Sequence, residues 1–226
     1  MVATTGMRID PETDRVEYKG RILRPSSEER ICILLNKPRG VLTTMSDDRG
    51  RRTVAELTAS AGRRLYPVGR LDMDSDGLLL LTDDGDLAYR LTHPRHEIPK
   101  IYHVHVKGEV NEETLRALRQ PMDLDGYRIL PVKTERIAYL ASENETVLKM
   151  TLYEGRNRQI RRMCELCALS VTRLSRVAIG TIAMGDLAVG HWRKLSQKEL
   201  AYLRGEESDK PSKKQLPRTR KDQTPC

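Results

Sequence analysis

Phenylalanine is absent from this 226-residue chain, and its aromatics are eight tyrosines and one tryptophan. Each of those carries a polar handle. Long apolar runs are missing too. Leu78 to Leu81 is a run of four leucines, and no stretch approaches the roughly 18 residues that a membrane-spanning helix needs. The N-terminal MVATTGMRIDPETD has no basic start followed by an apolar block, so no secretory signal is read there. Four cysteines are too few for a disulfide framework in a chain of this length, and reduced thiols are expected. These absences point to a soluble, cytoplasmic protein that neither spans nor enters a membrane.

What is present suits a folded domain. Hydrophobic residues make up 38% and charged residues 32%, a balance that argues against wholesale disorder. Forty Lys and Arg against 32 Asp and Glu give a net charge of +8. A basic surplus favours polyanionic partners, nucleic acid first, through neutralisation of phosphates.

Along the chain, residues 1–30 are polar and broken by Pro11, Gly20 and Pro25, with VEYKGRIL (16–23) reading as a hairpin. Strands are expected at 31–37, 41–45, 65–72, 78–82, 101–108, 127–140, 146–153, 171–180 and 191–195. Helices are expected at 54–60, 86–92, 112–119, 157–169 and 196–203. Thr53 and Ser196 open capping boxes with Glu56 and Glu199, and Asn111 caps a third helix. After Leu203 little remains to bury, so 204–226 is expected to be a disordered basic tail. Many strands with interspersed helices suggest an α+β fold with a mixed, largely antiparallel sheet.

Three segments could carry chemistry. In VGRLDMDSDGLLLLTDDGD (68–86) six acids and three glycines flank a buried strand. The order Asp72-x-Asp74-x-Asp76-Gly77 approaches a calcium loop, but Asp83 replaces the bidentate Glu and Leu80 offers no ligand. Arg70 beside Asp72 could instead hold a loop carboxylate ionised, and such a group is a usable nucleophile. The alternative is that Asp72 caps a turn. In the stretch 156–176, six arginines face one acid, Glu165. The cluster is either a solvated basic face or a phosphate-contacting surface. Cys164-x-x-Cys167 lies inside a helix with no second pair, so no metal is expected there. His103 and His105 share a strand face but lack a third ligand. Tyr102 in Lys100-Ile101-Tyr102 is either a core tyrosine or a ring for stacking on a base.

Taken together, LNKPRGVLTT (35–44), YPVGRLDMDSDGLLLLTDDGDLAYRLTHPRH (66–96), KIYHVHVKG (100–108) and EGRNRQIRRM (154–163) stand in an order and spacing that resemble the RsuA/RluB-type pseudouridine synthases. The resemblance covers about residues 31 to 203. It implies two fused α+β subdomains around a cleft and an isomerase that converts uridine to pseudouridine without a cofactor or metal. It also implies that Asp72 is the nucleophile, that Arg70 displaces the target nucleotide, and that Tyr102 stacks on the uracil. Arg161 would form an ion pair with Asp72, and Ile160 would wall the pocket. Asp74, Ser75, Asp76 and Gly77 would shape the loop. Lys100, Arg156, Asn157, Arg158 and Arg162 would contact RNA. Relatives usually begin with a small alpha-L RNA-binding domain, and here 1–30 resembles only its remnant. LTHPRH (91–96) is closer to the branch acting on large-subunit ribosomal RNA. The implied protein is a monomer with a catalytic domain at 31–203. A non-catalytic RNA-binding module or assembly factor, and the same isomerase acting on small-subunit RNA, are the rival readings.

Overall fold

A computed structural model describes residues 9–10, 13–23, 29–93 and 98–206. The chain divides into two units, Met1–Arg30 and Ile31–Cys226. In the first, β1 (Val16–Tyr18) pairs with β2 (Arg21–Leu23) as the expected antiparallel hairpin. Lys19 and Gly20 make its turn with positive φ, the geometry that suits a two-residue hairpin loop.

The second unit is organised by one nine-stranded sheet. In chain order its elements are β3 (Cys32–Lys37), α1 (Val54–Thr58), β4 (Tyr66–Pro67), β5 (Asp76–Thr82) and α2 (Gly85–Thr92). Next come β6 (Lys100–Lys107), α3 (Glu112–Arg119), the small hairpin β7 (Asp123–Leu124) and β8 (Tyr127–Arg128), then β9 (Lys133–Leu140) and β10 (Glu145–Leu152). The last are α4 (Gln159–Leu166), β11 (Val171–Ile179), β12 (Ile182–Ala183), β13 (Trp192–Lys194) and α5 (Gln197–Arg204). The strand order is β13-β3-β5-β11-β6-β10-β9, with β4 on β5 and β12 on β11. Only β5 and β11 run parallel; the other described pairs are antiparallel. This is the mixed, mainly antiparallel α+β architecture that the sequence suggests.

Strand alternation explains the core. Leu78 and Leu80 of β5 pack with Leu34 and the helices α2 and α5 on one face. Leu79 and Leu81 pack with Ile33, Leu35, Val54 and Leu65 on the other. Each buried leucine contributes about 1.5–3 kcal/mol. A separate cluster under α3 and α4 joins Val104, Val106, Leu148, Met150, Ile160 and Met163. Tyr102 touches this cluster and the one beneath β3 and β5, so the two halves meet along β11 and β6.

Three expected strands differ. Pro131 interrupts 127–140, leaving β8 and β9 separate; proline cannot donate to the ladder. VLTTM is a loop carrying one bridge, Leu42 to Thr53. Only Tyr66–Pro67 of 65–72 is strand, because the rest turns into the acidic loop. The expected tail lies outside the described residues from 207 onward.

Candidate active site

The loop before β5 carries Asp72 and is held by its backbone. Its clamp is the segment that follows β3. Gly40 N–H donates to the Met73 carbonyl at 2.7 Å. The Thr43 hydroxyl donates to the Leu71 carbonyl at 2.7 Å and accepts the Leu71 N–H at 3.3 Å. Lys37 Nζ donates to the carbonyls of Asp72 at 3.1 Å, Ser75 at 2.9 Å and Pro38 at 3.1 Å. Lys37 is 0% exposed. It ends the inward-facing series Ile33, Leu35, Lys37 of β3, so alternation drives its side chain under the loop. Burial lowers its pKa to about 8, against the opposing pull of Asp76, Asp72 and Asp74.

The carboxylates meet the arginine segment from the other side. Arg158 Nη1 stands 3.6 Å from Asp72 Oδ2 and 3.3 Å from Asp74 Oδ2. Arg161 Nη2 lies 3.2 Å from Asp74 Oδ2 and donates to the Asp74 carbonyl at 3.1 Å. Asp76 accepts from Arg173 Nε at 3.1 Å and from the Ser175 hydroxyl. Arg158 caps α4 with φ of +50°. A non-glycine residue there is strained, and such strain clusters at functional sites. The Asp72 carboxylate itself stays about one-third exposed.

The sheet then sets the tyrosine. Lys37 pairs with Gly77, Gly77 with Arg176, and Arg176 with Tyr102 across β3, β5, β11 and β6. Directly paired residues share a face. Tyr102 therefore stands on the clamp's face, two strands from the loop, with Ile160 buried in the cluster that its ring touches. Gly77 is required by this row. A Cβ there would lie 2.2 Å from the Arg176 carbonyl oxygen, and its φ is +106°.

Two expectations, the ion partner of Asp72 and the charge that Arg70 brings to it, are corrected by these contacts. Arg158, rather than Arg161, is the ion partner of Asp72; Arg161, farther along α4, reaches Asp74 instead. Arg70 is exposed and makes no ion pair among the described residues, so the charge beside Asp72 comes from Arg158. Arg156 stacks on the Tyr127 ring at 3.4 Å, and Arg162 pairs with Asp125, so both bolt the β7–β8 hairpin to the basic segment. Asn157 is exposed and Lys100 half-buried. Cys164 is buried with its thiol pushed up to about 12, a poor thiolate. His105 contacts Glu145 at 3.4 Å. Among the described residues, no group of three or more His, Cys, Asp or Glu side chains could hold a metal ion.

Sequence pattern alone does not mark Lys37 or Thr43. A lysine at the end of an otherwise buried strand was the available signal. The Thr43 contact spans 28 positions and left no local trace.

In sequence and in fold the chain matches one class of RNA-modifying protein. Residues 31–166 fit the family model described as RNA pseudouridylate synthase. A crystal structure of a pseudouridylate synthase superposes with a TM-score of 0.69 at 30% identity, covering 88% of this chain and 84% of that one. An uncharacterized RNA pseudouridine synthase of Aquifex aeolicus is 40% identical over 206 residues, 90% of this chain and 80% of that protein. Ribosomal large subunit pseudouridine synthase B of Bacillus subtilis is 38% identical over 192 residues, 85% of this chain and 78% of that protein. The chain belongs to the RNA pseudouridine synthases, which are isomerases, and within them to the RsuA/RluB type.

Proposed function

We propose that this protein converts a uridine of large-subunit ribosomal RNA to pseudouridine, with Asp72 as its nucleophile. The observation that carries the reading is the Asp72 carboxylate. It remains reachable by solvent while its loop is pinned by Lys37, Gly40 and Thr43 and its charge is met by Arg158. A reactive group needs that combination of access and fixed position. The large-subunit assignment draws on the Bacillus subtilis relative, whose name carries that substrate.

The bond from ribose C1′ to uracil N1 breaks, the base turns, and C1′ joins C5. The C5 proton leaves to solvent and N1 gains one. The change is redox-neutral and needs no external group. A stacked base cannot turn, so the uridine must first leave the helix. Exposed Arg70 enters the vacated space, Tyr102 stacks on the flipped uracil, and Ile160 walls the pocket. Arg161 positions the loop through Asp74. Arg156, Asn157, Arg158 and Arg162, with Lys100, contact the RNA around the target; phosphate contacts fix register and base contacts choose the site. The protein acts as a monomer, with residues 31–203 as its catalytic domain. Among the described residues no helix is long and apolar enough to cross a membrane.

The test is to incubate the protein with unmodified large- and small-subunit ribosomal RNA, without added metal or cofactor, and map pseudouridine in each by mass spectrometry. One position in large-subunit RNA is the expected product. A product in small-subunit RNA alone would move the target and keep the chemistry. RNA binding with no product in either would favour a non-catalytic binding module.

A further inference from the structure

Two cations beside Tyr102 lack the carboxylate partners that four of the site's arginines have. Arg158, Arg161, Arg162 and Arg173 each pair with an aspartate. Arg176 is only 4% exposed and pairs with none among the described residues. Its Nε donates to the Leu78 carbonyl at 2.7 Å, and its buried Nη2 has no hydrogen-bond partner. Lys100 stands two residues before Tyr102 on β6, hence on the same face. It is half-buried, and its side chain makes no ion pair or hydrogen bond among the described residues. Burial first, then the charge of Arg176, lowers its pKa, and among the described residues no acid opposes either effect.

Two neighbouring, desolvated, uncompensated cations are costly in the empty protein. A neutral carbonyl would satisfy a donor yet leave the like charges repelling. A full anion relieves both. We propose that Lys100 and Arg176 seat a phosphodiester oxygen of the flipped target nucleotide, beside the Tyr102 ring. This rests on the reading of the site as one that receives a uridine from RNA. The placement suits a nucleotide: adjacent strands are about 4.8 Å apart, so base and phosphate can lie over neighbouring strands. The guanidinium fork and the ammonium divide the task as a directional donor and a point charge.

The test uses small probes, so that it reads binding without turnover. The full-length protein and its Lys100→Gln and Arg176→Gln variants are titrated with uridine 5′-monophosphate, uridine and inorganic phosphate, followed by NMR. Wild type should bind the monophosphate at least about tenfold tighter than uridine, the scale of one charge-assisted hydrogen bond. Phosphate should compete with the monophosphate. In either variant the preference should collapse toward unity while uridine binding persists. Melting curves accompany each variant, and Lys100→Gln alone carries the test if Arg176→Gln does not fold. Equal wild-type affinity for monophosphate and uridine, or a preference kept in the folded variants, overturns the phosphate seat. Such a failure leaves the isomerase reading intact. Conversely, a wild type that made no pseudouridine would sink that reading while the titration still reported on the anion.

Discussion

At the scale of the residue, the site depends on a lysine that touches no substrate in this account. Lys37 satisfies three carbonyls around Asp72 from beneath the loop. Lys37→Met keeps the bulk but strands those acceptors, so it should lower stability by about 2–4 kcal/mol. It should also reduce kcat more than KM; denaturant melts and steady-state kinetics check both. Titration makes a second prediction. With its pKa near 8, Lys37 becomes a neutral amine as pH rises through that value. Two N–H donors then face three carbonyls, and turnover should fall with an apparent pKa near 8. Stability moves the other way. A folded pKa below the unfolded value of 10.5 means that the folded form releases its proton first. The contribution of this group to stability therefore rises between about pH 8 and 10.5. A pH–rate profile measured beside melting curves separates the two, because lost activity would then not be unfolding. Arg158 supplies a third prediction. Arg158→Gln removes the guanidinium beside Asp72 and should lower kcat by up to about fivefold, a partly exposed ion pair being worth about 0.2–1 kcal/mol. Of these residues the sequence marked Asp72, Tyr102 and the arginines. It did not mark which arginine meets which acid, because that depends on the left-handed turn at Arg158.

At the scale of the element, periodicity carried most of the information. The alternating leucines of β5, the hairpin at 16–23 and the caps at Asn111 and Ser196 follow from local rules and stand where those rules put them. The segments that escaped local rules serve the site. VLTTM has strand composition, yet its Leu42 backbone bonds Arg52 and Val54 and its Thr43 hydroxyl is committed to the loop at Leu71. Gly77 is the sharpest element-level constraint, since β5 and β11 approach too closely there for any side chain. Gly77→Ala should destabilise the protein by about 2–4 kcal/mol, from overpacking and a positive φ combined. It should also displace the Asp72 loop, visible as loss of activity in the fraction that remains folded. An alanine variant with wild-type melting and turnover would show that the β5–β11 row does not set the loop.

At the scale of the whole molecule, the family was legible from four separated motifs read together, though no one of them was specific alone. The sheet that unites them was not. The parallel β5–β11 pair joins residues about a hundred positions apart, and no local pattern encodes such a contact. The surplus of positive charge belongs to this scale as well. RNA affinity should fall steeply with salt, with a slope set by the number of phosphates neutralised. Asp72→Ala should leave that slope unchanged, because it removes chemistry rather than charge-pairing to phosphate. The proposed function rests on one reactive carboxylate, Asp72, presented by this basic scaffold. It is tested most directly by tritium release from ribosomal RNA labelled at uridine C5, with wild type and Asp72→Ala run in parallel. Wild type should release tritium and the variant none above background, while the variant still folds and binds RNA. Release by Asp72→Ala at the wild-type rate would contradict it.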